Sequence, residues 1–294
     1  MTASATKTDP VIATAIQEIN HIATLPEVTL RIVELVEDPS STAQDLQRMI
    51  SNDPALCSRI LKVVNSAFYG LPGQVASIDR AIVLLGLNAV KNIAVAASLV
   101  KLFRGGELGQ AFSARELWTH SIATATAARQ IATTISLGLP DEAFLAGLMH
   151  DIGVVVELQY DRQKLLKVVE MLGVDAGGKP RRSMIDAERE VFGADHQAFG
   201  EALSRKWKFP HSLSMAAGHH HDPLSLPAEQ RTLPTVVHIA DLIAAESGMG
   251  FRLDLVDTKV SDEAMDAIGI SAEQVEEILG NLPNALQEVR QLLS

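Results

Sequence analysis

The stretch FLAGLMHDIGVVV, residues 144–156, places His150 and Asp151 side by side in an otherwise apolar run. Taking a charge out of water without a partner is expensive. Two inexpensive solutions exist: the pair hydrogen-bonds to its neighbours as a polar element of the core, or it binds a cation. Residues of the same chemistry recur along the chain. In ELWTHS, Glu116 and His120 are four apart and share one helical face. In GADHQAFG, His196 falls in the first turns of a helix, and GHHHDP supplies His219, His220 and His221 just before Pro223, where a helix must end. Asp241, in TVVHIADLIAA, is another lone carboxylate among aliphatics. Mixed imidazole and carboxylate donors suit Fe, Mn or Zn, and carboxylates that bridge suit a site with more than one ion.

The elements that must position these residues all read as helices. Apolar periodicity predicts helices over 11–23, 28–36, 43–50, 54–65 and 78–103, the last kinked at Gly86. Asp53-Pro54 supplies an N-cap followed by a proline at the first helical position, and Ser41 or Thr42 caps the helix before it. A second set is predicted over 114–136, 141–156, 162–171, 195–207, 211–217, 231–245, 272–279 and 283–293. Between them, Ser183 with Asp186 resembles a capping box. Strand-like alternation is lacking. The expected fold is all-α: a short flexible tail (1–10), an N-terminal helical bundle (11–106) ending near Arg104-Gly105-Gly106, and a second helical domain with C-terminal helices (107–294).

Composition removes several function classes. A net charge of −11 argues against general nucleic-acid binding, and aromatics at 4% are too sparse for a base-stacking surface. No uncharged apolar run is long enough to span a bilayer and the N-terminus lacks a signal-peptide core, so a cytoplasmic protein is expected. Cys57 is the single cysteine, which excludes an intramolecular disulfide and a CxxC metal site. Histidine, in contrast, is concentrated: seven of nine lie between residues 120 and 221.

The ordered set of words carrying Glu116, His120, His150, Asp151, His196, His220, His221 and Asp241 resembles the HD superfamily of metal-dependent phosphohydrolases, in particular its HD-GYP branch of cyclic-di-GMP phosphodiesterases. The resemblance implies that these eight residues are metal ligands, with His219-His220 the alternative to His220-His221 as the paired histidines. Two departures matter. Val154 stands where that branch has a lysine that contacts substrate phosphate, and HHDPLSLP replaces the segment leading to the Gly-Tyr-Pro motif. Those departures, together with LPEVTLRIVELVEDPSSTAQDLQRMISNDPALCSRILKVVNSAFYG (25–70) and SIDRAIVLLGLNAVKNIAVA (77–96), resemble the HDOD family, the HD-related output domain of bacterial signalling proteins.

That resemblance implies an N-terminal bundle packed on an HD-like bundle. The function it implies is a regulatory module that binds a ligand or partner and retains a metal site, without an organic cofactor. A signalling protein is the expected partner, a nucleotide or phosphate ester the expected ligand. A metal-dependent phosphohydrolase is the alternative, and a di-iron oxygenase a more remote one. His21, His211 and His238 match no motif position, and Lys179, Arg181 and Arg182 read as a solvated loop.

Overall fold

The computed structural model describes residues 10–18, 27–38, 40–66, 69–103, 107–108, 112–175 and 178–292. The expected tail up to residue 9, His21 and the boundary at Arg104-Gly105-Gly106 lie outside them. The described chain is all-α apart from one two-stranded hairpin, in which β1 (Glu107–Leu108) pairs antiparallel with β2 (Phe112–Ser113).

The N-terminal helices begin where their caps predict. α1 spans Pro10–Glu18 and α2 spans Glu27–Glu37. Thr42 and Asp45 form a reciprocal capping box at the start of α3 (Ala43–Ser51), and Asp53 accepts the Leu56 amide at the start of α4 (Pro54–Val64). Asn65 then clamps the following loop, donating to Val75 O at 2.8 Å and accepting from Val75 N at 2.6 Å. The single helix expected over 78–103 is instead two, α5 (Ile78–Leu85) and α6 (Leu87–Leu99), with a short 3-10 turn at Val100–Phe103. Gly86 separates them at φ +88°, a backbone conformation that residues with a Cβ rarely adopt. α6 is buried from Ala89 through Leu99 and packs on α2, α4 and α5.

α6 also packs on the second set of helices through α8 (Pro140–Met149). The longest element beside it, α7 (Ala114–Thr134), lies against α8 and, further along the chain, against α14 (Thr232–Glu246) and α16 (Ala272–Leu292). Between these come α9 (Ile152–Tyr160), α10 (Arg162–Leu172), α11 (Met184–Phe192), α12 (His196–Lys206) and α13 (His211–His219). α15 (Asp262–Ile268) lies outside the expected helices. The two C-terminal helices expected on either side of Leu282 are one, α16, which runs through Pro283 because Ile278, Leu282 and Leu286 recur every four residues and are buried together. One continuous apolar cluster joins residues of both halves, from Ile32 and Leu46 to Leu145 and Val237.

The most consequential difference from the expected helices is at 141–156. Its helix breaks at His150-Asp151, with Asp151 at φ −94° and ψ +16°. That turn lets both side chains enter the same interior space.

Candidate metal centre

Five elements converge on this space. α7 contributes His120, the α8–α9 turn contributes His150 and Asp151, the first residue of α12 is His196, the end of α13 gives His220 and His221, and α14 gives Asp241. Two glycines allow the helices to approach closely enough. A Cβ at Gly147 would lie 2.8 Å from Ala125 Cα on α7, and one at Gly153 would overlap the His196 carbonyl oxygen. The start of α12 is fixed by Asp195, which accepts from the Ala198 amide at 2.9 Å and is itself held by Arg189 Nε at 2.8 Å.

Within the space, His120 Nε2 meets Asp241 Oδ1 at 2.8 Å, and His150 Nε2 lies 3.6 Å from the same oxygen and 3.2 Å from Asp151 Oδ2. Asp151 turns its other oxygen to the second set, 3.6 Å from His220 Nε2 and 3.7 Å from His196 Nε2. His196 Nε2 and His221 Nε2 are 3.0 Å apart. Asp151 therefore stands between two donor groups, His120, His150 and Asp241 on one side and His196, His220 and His221 on the other.

Backbone carbonyls settle two of the tautomers. His150 Nδ1 lies 2.7 Å from Gly147 O and His220 Nδ1 lies 3.2 Å from Ala217 O. A carbonyl can only accept, so each Nδ1 donates, and in the neutral form of each ring the unprotonated Nε2 is the one that faces inward. Those Nε2 atoms, both oxygens of Asp151 and Oδ2 of Asp241 are buried without a hydrogen-bond partner among the described residues. Several orphaned donor atoms aimed at one another are expensive as a polar core, and a cation between them satisfies the whole group at once. The residues fit one or two first-row metal ions. At 3.0 Å the Nε2 atoms of His196 and His221 are at N–H···N hydrogen-bond distance, a separation that two nitrogens bound to one ion at about 2.0–2.1 Å would also show.

In the metal-free centre the carboxylates hold protons on some of these imidazoles, while others stay neutral. Burial works to raise the Asp151 carboxyl, but the surrounding histidines, His150 first and then His220 and His196, together hold the group well below the usual carboxylate range. Burial likewise opposes the imidazolium of His196, yet the Glu188 carboxylate at 2.8 Å raises it to about 10. For His221, burial and then the neighbouring His220 and His196 push the pKa well down, which keeps that imidazole neutral and able to ligate.

Seven of the eight residues singled out from the sequence thus come together. Glu116 does not: its side chain is exposed at the N-terminal turn of α7, and only its carbonyl contributes locally, accepting from the Phe251 amide at 3.1 Å. Of the three consecutive histidines, His220 and His221 face the cluster and His219 stays outside it. His211 is exposed at the start of α13, and His238 lies 2.7 Å from His220 O through Nδ1. Two residues escaped the sequence reading. Glu188 is fully buried and accepts from both the backbone amide and Nδ1 of His196, and nothing in its spacing marked it. Asp254 is buried at the centre, with oxygens close to His120, Asp151, His221 and Asp241. It was detectable in principle, as a lone carboxylate in FRLDLV, by the reasoning that singled out Asp241.

The family model described as HDOD domain matches residues 22–223. A Treponema pallidum (strain Nichols) protein, itself uncharacterized, is 26% identical over 238 residues, which is 81% of this chain and 45% of that protein, so the chain spans under half the length of this relative. Among solved structures, an HDOD domain protein of unknown function from Geobacter sulfurreducens has a TM-score of 0.74 at 24% identity, covering 96% of each chain. A candidate phosphohydrolase from Shewanella amazonensis SB2B also gives 0.74, at 23% identity over 97% of this chain and 98% of that one. A candidate signal transduction protein from Marinobacter aquaeolei VT8 gives 0.74 at 20% identity over 96% of this chain and 65% of that one. At these identities the structures establish the shared helical fold. Among the described residues, no helix is long and apolar enough to cross a membrane.

Proposed function

Because the chain belongs to the HDOD family, we propose that it works as a regulatory module built around a buried metal centre and not as a turnover enzyme. One observation carries this reading: the donor atoms are assembled and buried, while among the described residues the position of the phosphate-binding lysine is taken by an apolar side chain. Of the seven clustered residues, His120, His150, Asp151, His196, His220 and Asp241 are buried, and only His221 is partly exposed. Val154, at the position where the HD-GYP resemblance would require a phosphate-binding lysine, is itself fully buried in the core of α9. His120, His150 and Asp241 would hold one ion, His196, His220 and His221 a second, with Asp151 between them. When bound, such ions acidify water and shield phosphoryl charge. In this reading their first effect is to tie α7, α9, α12, α13 and α14 into one rigid unit that a signalling partner reads. A nucleotide or phosphate ester is the ligand class to test, and a cytoplasmic location follows from the same reading.

The phosphohydrolase alternative keeps one supporting observation, the partial exposure of His221, an edge by which a phosphate ester could reach the centre. The two readings separate in one experiment. Elemental mass spectrometry counts Fe, Mn and Zn in untagged protein and in the His150→Ala/Asp151→Ala double variant. The metal-loaded protein is then assayed against cyclic dinucleotides, mononucleotides and generic phosphate esters. We expect bound metal that the variant loses and no turnover. Turnover that disappears in His150→Ala, with the fold intact by circular dichroism, overturns the non-catalytic reading.

A further inference from the structure

The segment after α14 turns back on itself and delivers one side chain to the metal centre. Gly248 and Gly250 both adopt positive φ, +70° and +82°. Gly250 lies so close to the start of α7 that a Cβ there would be 2.6 Å from both Glu116 O and His120 N. No other residue fits that approach. Phe251 continues the attachment: its amide donates to Glu116 O at 3.1 Å, and its buried ring sits edge-on to Phe112 with centroids 5.6 Å apart. At the far end, Leu255 is buried against Leu242 and Ala245 of α14. Residues 248–255 thus form a strap anchored at both ends.

Asp254 lies between those anchors. It is 6% exposed, and neither of its oxygens has a hydrogen-bond partner among the described residues. It forms a metal-sized group with His120 and Asp151, and another with His221 and Asp241, the candidate ligand atoms of each group lying within 4.8 Å of one another. It therefore touches both halves of the centre, as Asp151 does. A carboxyl kept there as an ordinary polar core residue would leave an acceptor, or an acid O–H, unsatisfied in the interior, which is costly. A cation between the two halves removes that cost.

We propose that Asp254 is a further metal ligand of this centre, carried in by the 248–255 strap and occupying the side of the site that the exposed Glu116 leaves unfilled. This rests on the metal-binding reading above. A third carboxylate beside Asp151 and Asp241 biases the site toward Mn or Fe over Zn, since carboxylate oxygen is the harder donor. It also fills, from within the chain, coordination space that a catalytic metal keeps open for water or substrate.

The test uses the full chain. Wild type, Asp254→Asn, Asp257→Asn on the exposed part of the same loop, and the His150→Ala/Asp151→Ala variant are each loaded with Mn(II), or anaerobically with Fe(II). Metal per chain is counted after dialysis, affinity is measured by chelator competition, and thermal midpoints are recorded for the apo and loaded forms. Asp254→Asn should lose about tenfold or more in affinity, or one equivalent of metal. Its apo midpoint should match or exceed that of wild type, because a strained buried carboxyl has gone, while Asp257→Asn should behave as wild type. Should Asp254→Asn not fold, Asp254→Ser carries the same readouts. Wild-type stoichiometry and affinity in the Asp254 variant overturns the assignment while leaving the metal centre standing. Wild type that takes up neither ion overturns both.

Discussion

His196 and His221 bring their Nε2 atoms to within 3.0 Å of each other, although His196 opens α12, His221 lies in the turn after α13, and the two are 25 residues apart in sequence. His196 is held in place from behind. Its Nδ1 and its backbone amide both bond to the Glu188 carboxylate, at 2.8 and 3.0 Å. Because Nδ1 is engaged by an acceptor, the ring is turned with Nε2 toward His221, and α11 sets the orientation of a residue on α12.

Glu188→Gln tests that arrangement. The amide keeps the shape and one acceptor oxygen but loses the charge that makes His196 a stronger donor. Removing such a supporting partner typically costs about 10–100-fold in metal affinity. We expect a loss in this range by chelator competition, with His150 and His220 still in place and residual loading at high metal concentration. Affinity equal to wild type would show that His196 orientation does not depend on Glu188.

Close helix approach makes a second prediction, read through stability. A methyl at Gly153 would collide with the His196 carbonyl, against backbone that cannot move aside. Gly153→Ala should therefore destabilise by about 1–3 kcal/mol or more, with metal loading impaired because α9 and α12 are forced apart. Gly280, inside α16, has nothing within 4 Å of the place a methyl would take and no positive φ. Gly280→Ala should stabilise by about 0.4–1 kcal/mol through the unfolded chain. Urea denaturation midpoints of the two variants should move in opposite directions; movement in the same direction would contradict the packing described.

The contrast between these positions also explains what could be read from the sequence. Caps such as Thr42 with Asp45 and Asp53 before Pro54 are local, and they mark helix starts without tertiary information. The order of His120, His150-Asp151, His196, His220-His221 and Asp241 is likewise visible along the chain. The break at His150-Asp151 is not, because residues 143–157 are buried on every side and no polar face sets a helical phase to interrupt. Glu116 satisfies the four-residue spacing with His120, yet helical spacing only places two residues on one face, and here that face leaves the interior within one turn. Asp254 lies on a strap with no periodicity, and its position depends on how closely Gly250 meets α7, a fact of tertiary structure alone.

The last prediction concerns the acid behind the centre. Glu157, on α9, is fully buried, and burial followed by the neighbouring Glu188 carboxylate raises its pKa well above the ordinary 4.5. The folded protein therefore keeps Glu157 protonated to higher pH than the unfolded chain, which ionises it above about pH 4.5. With more protons bound in the folded state, stability contributed by this group is full below that pH and falls as pH rises, by at most about 1.4 kcal/mol per unit, until the folded group ionises. Glutamine carries no such proton. Metal-free Glu157→Gln should thus gain stability relative to wild type as pH rises above about 4.5, seen as diverging urea midpoints. Parallel pH profiles would mean that the proton is not held at Glu157.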